Sequence, residues 1–345
     1  FEIGDLIPEH TVVVTISHHG YVKRLPMDTY REQHRGGRGI KGSDSRDGDF
    51  IEHLFTSSSH DDLACFTNTG RLFKIKVFQI PEMSRTSKGR PIVNLLQLKP
   101  DEKVVAFLPI EAASLKDTAD YLLFATAQGR VKRTALKAYR NVHRAGIIAI
   151  KLNAGDRLIG VEQTSGSDDV LLATRTGMSI RFTETDAREM GRDAAGVKGI
   201  ALSSEDEVVG LIRVEPDADL LTVTINGYGK RTDLDEYLVQ SEDGTSHAQN
   251  RGGKGRRDIQ NTSRNGNVVA VRCVRSSDGL MFVSEGGMIV RIGASTIRQI
   301  GRNTQGVRVV NLKPEDRLIA AARLAEDEDA ASSENMLEES GAEST

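Results

Sequence analysis

The sequence contains no tryptophan and has few cysteines, prolines and aromatic residues. Its two cysteines, Cys65 and Cys273, lie in apolar strand-like runs, which favours buried free thiols over a disulfide and suits a reducing compartment. We find no signal peptide and no apolar run near the length of a membrane span. These absences favour a cytoplasmic location. The chain begins at Phe1, which indicates a piece of a longer protein.

Basic residues are absent from the C-terminus. The last 21 residues hold eight acidic side chains and no basic one, whereas the rest of the chain has 46 basic against 41 acidic residues, a net charge of +5. A segment so acidic and so poor in apolar residues cannot bury enough surface to offset its ordering entropy. We therefore predict a disordered tail over residues 325–345.

Glycine is abundant, with 33 residues, and it recurs in a pattern. A glycine that follows a short apolar run and precedes apolar and cationic residues occurs six times, as GYVKR (20–24), GRLFK (70–74), GRVKR (129–133), GMSIR (177–181), GYGKR (227–231) and GMIVR (287–291). A strand, a tight glycine turn and a second strand are the signature of a β-hairpin. The spacing of the motifs predicts six repeats of about fifty residues.

A glycine-ended loop follows each hairpin, and a polar turn and another strand follow each loop. The loops read QHRGGRG (33–39), SRTSKG (84–89), HRAG (143–146), GRDAAG (191–196), QNRGGKG (249–255) and GRNTQG (301–306). Each repeat therefore offers four short strands. Six such units predict an all-β fold, a propeller-like ring or shallow spiral of six four-stranded antiparallel blades, because such rings leave only short edges.

The predicted domain spans residues 1–324. Its blades are placed approximately at residues 4–60, 61–112, 119–165, 168–216, 217–275 and 278–324. We expect almost no helix; the stretch TDAREMG (185–191) has room for one turn.

Other kinds of site find little support in the sequence. GRGIKG (37–42) matches the dinucleotide fingerprint formally, but no helix pattern follows it. His18 and His19 fall at a hairpin tip, without the spacing of a second metal-ligand set. We identify no catalytic constellation and no tyrosine in the context of a DNA-cleaving nucleophile, and we expect no metal or cofactor in this domain.

QHRGGRG (33–39) resembles the gyrase-A box, and INGYGKR (225–231) and IGRNTQGV (300–307) also resemble the C-terminal domain of the DNA gyrase A subunit. The resemblance covers about residues 4–324 and implies a six-bladed β-pinwheel that wraps DNA around its rim, with the box latching a chiral wrap. His34 replaces the usual cation of the box, and Asn250 departs from the pattern in the near-match of repeat five. The related domain of topoisomerase IV lacks a complete box.

The box combines guanidinium forks, which suit phosphate oxygens, with glycines that let the backbone approach a phosphate directly. The predicted DNA-binding residues of the box are Gln33, His34, Arg35, Gly36, Gly37, Arg38 and Gly39. Further predicted contacts along the rim are Lys41, Arg85, Lys88, Arg90, Lys132, Arg133, Arg144, Lys198, Arg251, Gly252, Gly253, Lys254, Arg256, Arg257 and Arg302. Lys23 and Lys230, in the hairpins, are candidates of the same kind.

The resemblance implies sequence-independent binding of double-stranded DNA and presentation of a DNA segment for negative supercoiling. It also implies a parent type IIA topoisomerase of two A and two B subunits, near the nucleoid, that uses ATP and Mg²⁺ outside this domain. The residues leave two alternative functions open. One is the DNA-capturing domain of topoisomerase IV, and the other is a propeller scaffold for protein partners.

Overall fold

The computed structural model of the protein describes residues 2–27, 48–112 and 114–324. In chain order, the strands of this part are β1 Thr11–Ser17, β2 Tyr21–Pro26, β3 Ile51–Ser58, β4 Asp62–Thr67, β5 Arg71–Lys76, β6 Arg90–Pro91, β7 Val104–Ile110, β8 Tyr121–Thr126, β9 Arg130–Ala135, β10 Ile147–Ile148, β11 Leu158–Thr164, β12 Asp169–Thr174, β13 Met178–Thr183, β14 Val197–Lys198, β15 Val208–Arg213, β16 Asp219–Thr224, β17 Tyr228–Asp233, β18 Val239–Gln240, β19 Ser246–His247, β20 Arg256–Arg257, β21 Val268–Val274, β22 Gly279–Ser284, β23 Ile289–Gly293, β24 Val307–Arg308 and β25 Leu318–Arg323.

In the described residues, short 3₁₀ helices occur before β1, at Ile3–Leu6, and between later strands, at Val77–Gln79, Ile92–Leu95, Leu136–Tyr139, Glu184–Asp186, Leu234–Tyr237 and Ala294–Thr296. Each is three or four residues long. The prediction of an all-β fold with at most one helical turn near residue 185 is confirmed.

The six glycine motifs form six hairpins, as predicted: β1–β2, β4–β5, β8–β9, β12–β13, β16–β17 and β22–β23. The turn glycine has a left-handed backbone in each, for example at Gly20 with φ of 85° and Gly227 with φ of 87°, which favours glycine. A serine or threonine stands three positions before each turn glycine. In five of the hairpins its hydroxyl accepts the N–H of the residue after that glycine, for instance Thr174 from Met178 at 3.0 Å.

The blades are built by strand exchange between neighbouring repeats. A repeat supplies its hairpin and the long strand that follows its loop, and the next repeat supplies a two-residue outer strand. The sheets therefore run β3-β1-β2-β6, β7-β4-β5-β10, β11-β8-β9-β14, β15-β12-β13-β20 and β21-β16-β17-β24. Each outer strand directly follows a loop-ending glycine, so the loops lie beside the outer edges of the blades.

The hydrophobic core is divided among the seams between blades. The middle strand β4 is buried at all six residues because neighbouring blades cover both of its faces. One cluster joins β1 and β2 to β4 and β5 through residues such as Val14 and Phe73. Successive inner strands β11, β15, β21 and β25 pack on one another toward the axis of the ring. Their close approach explains Gly210, where a Cβ would collide with the side chain of Val271.

The seam between the first and last blades has its own, smaller cluster of four buried residues, in which Phe50 packs with Met281, Val283 and Ala322. This packing brings the first and sixth blades together, so the six blades form a ring. Within the described residues the last blade has three strands, β23-β22-β25. Repeat five carries an additional ribbon, β18–β19, which accounts for its long spacing between hairpin and loop.

Candidate nucleic-acid interface

The rim of the ring consists of the two-residue outer strands and the loops before them. Gly255 ends the loop of repeat five with φ of 76°, and a Cβ there would overlap the carbonyl oxygen of Ser179 in β13. Gly89, Gly196 and Gly306 pack on β2, β9 and β17 in the same manner. These glycines let each loop lie flat on the preceding blade, so they are needed for blade assembly as well as for any ligand.

The box predicted at Gln33, His34, Arg35, Gly36, Gly37, Arg38 and Gly39 lies outside the described residues, as does Lys41. The related loop of repeat five, residues 249–255, is described. Gly253 and Lys254 are exposed at its tip. A Cβ at Gly253 would have no neighbour within 4 Å, and this residue does not have a left-handed backbone. Neither backbone strain nor packing within the protein therefore explains a glycine at position 253. A residue without a side chain at an exposed tip would let an external partner approach the backbone directly.

The flanking residues of this loop are held in place by the preceding repeat. The Gly252 N–H donates to the Gly199 carbonyl at 2.8 Å, and the Gly253 carbonyl accepts from the Ala201 N–H at 2.8 Å. The Arg251 guanidinium donates to the carbonyl of Lys198 at 2.6 Å. The N–H of Gly252 is therefore already bonded and is not available to a phosphate.

The structure divides the other predicted rim residues by exposure. Exposed ones are Lys88, Arg90, Arg144, Lys198 and Lys254. Half-buried ones are Arg85, Arg251, Arg256, Arg257 and Arg302. Several of the half-buried arginines are anchored by one bond to a carbonyl, such as Arg256 to Leu238 at 2.8 Å and Arg302 to Arg257 at 2.9 Å. An anchored guanidinium keeps its other N–H groups for a ligand and loses less entropy on binding.

Lys132 and Arg133 do not belong to an exposed rim. The side chain of Lys132 is fully buried, and its ammonium donates to the Tyr139 hydroxyl at 3.2 Å and to the carbonyls of Ala149 and Arg192. Arg133 packs over the Tyr121 ring at 4.4 Å and donates to the Ala187 carbonyl at 2.8 Å. Both side chains hold the next repeat in place. Lys132 is enclosed by the protein, so the prediction that it contacts DNA is wrong for this structure. Arg133 is half-buried like the anchored arginines, and its contact with DNA stays a prediction.

The same internal role is found at every second blade. Lys23 donates to the carbonyls of Ser84, Arg85 and Ser87, and Lys230 donates to those of Gly301 and Arg302. These acceptors belong to the rim loops of repeats two and six. The corresponding residues of the second, fourth and sixth hairpins are Phe73, Ile180 and Val290. Lysine thus fixes the loops of the even-numbered repeats, and apolar residues stand at the same position in the alternate hairpins.

Lys230 differs from Lys132 in having a buried counter-charge. Its ammonium lies 3.5 Å from the Asp258 carboxylate, and both side chains are inaccessible. We expect Lys230→Met to lower the free energy of unfolding by about 3–5 kcal/mol, because it leaves a buried carboxylate without its cation. Lys132→Met leaves only carbonyls and a hydroxyl without their donor, so we expect it to lower the free energy of unfolding by about 1–3 kcal/mol. Thermal unfolding of the two variants side by side measures the difference, and an equal or reversed order would contradict it.

Burial lowers the pKa of Lys132 to about 7. In the unfolded chain the lysine titrates near its ordinary value, so between about pH 7 and pH 10 the unfolded state binds more protons than the folded state. The free energy of unfolding should therefore rise with pH across this window, and the destabilising effect of burying the charge is largest below pH 7. The predicted signature is a rise of wild-type stability relative to Lys132→Met between pH 7 and pH 9. A constant difference would contradict it.

Residues that the sequence analysis missed lie on the same rim. Arg308 in β24 and Arg264 in the turn before β21 are exposed, and both contact Tyr228. Arg308 is the second residue of its outer strand, and it pairs with the residue that follows the turn glycine of the neighbouring hairpin. Lys198 and Arg257 have the same position in their own outer strands. A comparison of the residues two places after each loop glycine would have found it. Within the described residues, the polar turns of the other repeats carry no arginine at the position of Arg264.

The described residues contain no group of three or more His, Cys, Asp and Glu side chains placed to hold a metal ion. Within the same residues, no helix has the length and apolar character needed to cross a membrane. His18 lies at a hairpin tip, as predicted, where it pairs with Glu52 at 3.3 Å and stacks on Phe50.

Comparison with known proteins gives consistent matches over nearly the whole chain. The family model described as DNA gyrase C-terminal domain, beta-propeller, matches residues 11–58, 61–111, 120–165, 168–215, 218–245, 248–275 and 280–325. The chain is 44% identical over 330 residues to the DNA gyrase A subunit of Staphylococcus epidermidis, covering 95% of this chain. It is 43% identical over 328 residues to that of Staphylococcus aureus, covering 94%. Both matches cover 36% of the relative, so the chain spans about a third of the length of these proteins.

Two solved structures share the fold. The C-terminal domain of DNA topoisomerase IV superposes with a TM-score of 0.81 at 25% identity, covering 96% of this chain and 99% of that one. The DNA gyrase A C-terminal domain superposes with a TM-score of 0.66 at 26% identity, covering 92% and 100%. The sequence thus resembles gyrase A subunits at 43–44% identity, while, of the two solved structures, the topoisomerase IV domain superposes with the higher TM-score.

Proposed function

Since the chain belongs to the family of DNA gyrase C-terminal β-propeller domains, we propose that it binds double-stranded DNA along its rim and wraps it without reading its sequence. The observation that carries this proposal is the placement of exposed cations on the outer strands, the loops and one adjoining turn of successive blades. They are Lys88, Arg90, Arg144, Lys198, Lys254, Arg264 and Arg308. Cations that neutralise phosphates release counterions and give affinity for any sequence.

The shape of the rim favours backbone contacts over base reading. Direct reading of the major groove uses an inserted α-helix or two-stranded ribbon. Between the hairpins, the described rim offers two-residue outer strands, loops that lie flat on the blades and the ribbon β18–β19, which has only two residues in each strand. Such elements can follow phosphates but do not reach base edges, so affinity should vary little among duplex sequences.

Wrapping needs cations that are spread along an arc. Smooth bending of a 20–30 bp site through 40–90° costs of order 1–6 kcal/mol, and a longer wrap costs more. One loop cannot offset this cost, whereas contacts on successive blades can. The anchored arginines and the lysine-held loops keep the cations in fixed positions, which limits the entropy lost when DNA binds.

Two features favour a gyrase-type domain over the topoisomerase IV alternative. The relatives with 43–44% identity are A subunits of DNA gyrase. The sequence also holds a full RGG box at residues 33–39 and a near-match at 249–255. In the parent protein, a type IIA topoisomerase of the bacterial cytoplasm and nucleoid, the wrapped duplex is presented for strand passage. The gyrase B protein, in an assembly of two A and two B subunits, ATP and Mg²⁺ act outside this domain.

The salt dependence of DNA affinity tests the proposal against the protein-scaffold alternative. A protein that makes 6–10 phosphate contacts loses roughly 10³–10⁵ in affinity between 50 and 200 mM salt. We expect a loss of that order for a mixed-sequence duplex, measured by fluorescence anisotropy, and similar affinities for unrelated sequences of equal length. Absent binding, or affinity indifferent to salt, would contradict the proposal.

A further inference from the structure

Three segments from two repeats meet at Tyr228. Tyr228 begins β17 of repeat five, Arg308 ends β24 of repeat six, and Arg264 lies in the turn before β21. The Arg264 Nε donates to the Tyr228 hydroxyl at 2.9 Å, and the Arg308 Nη2 donates to the same oxygen at 3.0 Å. The two guanidinium carbons lie 5.5 and 5.4 Å from the centre of the tyrosine ring. One buried tyrosine therefore holds two exposed arginines side by side.

The backbone under this cluster is fixed. The side-chain amide of Asn226 donates to the Arg264 carbonyl at 3.1 Å, and the fully buried Asn265 donates to the carbonyls of Gln260 and Gln305. Arg308 pairs with Tyr228 in the β-ladder. The positions of both guanidinium groups are therefore determined before any ligand arrives.

The cluster carries positive charge without acidic compensation. Neither Arg264 nor Arg308 forms an ion pair with a carboxylate in the described part of the chain, and Tyr228 supplies their side-chain hydrogen bonds there. The two hydrogen bonds from Arg308 and Arg264 hold the pKa of Tyr228 below its ordinary value, as a strongly positive neighbourhood would. Each guanidinium uses one N–H on the tyrosine and keeps the others for an acceptor.

Among the blades whose outer strand is described, only the hairpin of repeat five assembles this set. At the corresponding pair of positions the other described blades have Tyr21 with Pro91, Arg71 with Ile148, Arg130 with Lys198, and Met178 with Arg257. Their polar turns carry no arginine at the position of Arg264 within the described residues. The cluster is therefore a local feature and not a property of the repeat.

We propose that Arg264 and Arg308, positioned by Tyr228, form a two-guanidinium site for phosphodiester oxygens of the DNA backbone. The proposal rests on the proposed DNA-binding function and adds a specific site to it, beyond the RGG loops. Paired guanidinium groups present parallel N–H donors that match phosphate oxygens. Tyr228 acts as a positioning residue, since its hydroxyl accepts from both arginines and holds them together.

The test uses the whole chain and a linear mixed-sequence duplex. The variant Arg264→Gln/Arg308→Gln should weaken binding roughly tenfold or more and reduce the salt slope by about 0.9 for each phosphate that is no longer neutralised. The matched control Arg157→Gln/Arg317→Gln removes the same charge from exposed arginines that are already paired with Glu207 and Glu285. The control should leave the slope near that of wild type.

Tyr228→Phe separates positioning from charge. It keeps all cations, so the salt slope should stay unchanged, while affinity falls roughly three- to tenfold because two side chains must be ordered on binding. Arg264→Lys/Arg308→Lys should likewise keep the slope and weaken affinity, since ammonium groups do not form the bidentate fork. Both guanidinium groups are exposed, so the double variants test the site even if Tyr228→Phe unfolds.

The site is overturned if wild type binds DNA with a steep salt slope and Arg264→Gln/Arg308→Gln matches the control variant. In that case the proposed function stands without this site. If wild type itself does not bind the duplex, the proposed function fails first. A loss of affinity in Tyr228→Phe with a reduced slope would contradict the positioning role, because no charge was removed.

Discussion

The double variant Arg35→Ala/Arg38→Ala is expected to lose the ability to wrap DNA while it keeps most of its affinity for a short duplex. The two arginines are a minority of the cations that the chain offers, so a straight duplex retains contacts on the other blades. A wrap, however, must offset a bending cost of several kcal/mol, and charge-assisted hydrogen bonds contribute about 1.5–3 kcal/mol each. Removal of two such bonds is enough to release the wrap.

Ligation of nicked DNA circles in the presence of the domain measures this effect as a change of linking number. With the variant, the mean linking number of the ligated circles should equal that of circles ligated without protein. Fluorescence anisotropy with a short duplex should show that affinity falls roughly tenfold or less. Arg157→Ala/Arg317→Ala is the matched control, since it removes the same charge from exposed arginines that are paired with Glu207 and Glu285. Topoisomer distributions equal to those of wild type would show that the first box does not hold the wrap.

Gly255→Ala is expected to damage the fold, whereas Gly253→Ala, two positions away, should not. Gly255 combines a left-handed backbone with direct contact to the Ser179 carbonyl, and β20 begins at the next residue. An alanine there should cost about 2 kcal/mol or more through backbone strain and partial loss of β20 from the fourth blade. A Cβ on Gly253 meets open space, so its effect on stability should stay within about 0.5 kcal/mol.

Thermal unfolding measures the first half of this prediction, with a fall in Tm of roughly 4 °C or more for Gly255→Ala. The second half concerns function. Because Gly253 lies at the exposed tip, a larger side chain in Gly253→Leu should leave Tm unchanged and weaken DNA binding severalfold. Equal stability of the two alanine variants would contradict the structural assignment, and unchanged DNA binding by Gly253→Leu would remove this loop from the interface.

The hairpins could be predicted from sequence because their determinants are local. A glycine with a left-handed backbone and a hydroxyl three residues before it mark each turn, and both residue types are visible in the sequence. The positions of the loop glycines could also be read from the sequence, but their packing partners could not. Their steric contact with the preceding blade, as at Gly196 and Val131, depends on a strand from another repeat that no local pattern reveals.

The exchange of outer strands could not be predicted, because two residues such as Val197–Lys198 are too few to show alternation. The buried lysines were misassigned for a related reason. Lysine is rarely buried, so Lys132 was placed on the surface, yet three carbonyl and hydroxyl acceptors and two aromatic rings surround its ammonium. The apolar residues at the same position in alternate hairpins, Phe73, Ile180 and Val290, were the available signal that this position faces the interior.

The most direct test of DNA wrapping is ligation of nicked circles at increasing ratios of the wild-type chain to DNA. Wrapping of one handedness around a ring with cations on successive blades predicts a linking-number change of constant sign that grows with the amount of bound protein. A topoisomer distribution that stays centred on that of free DNA, at concentrations where a duplex is saturated, would contradict the account.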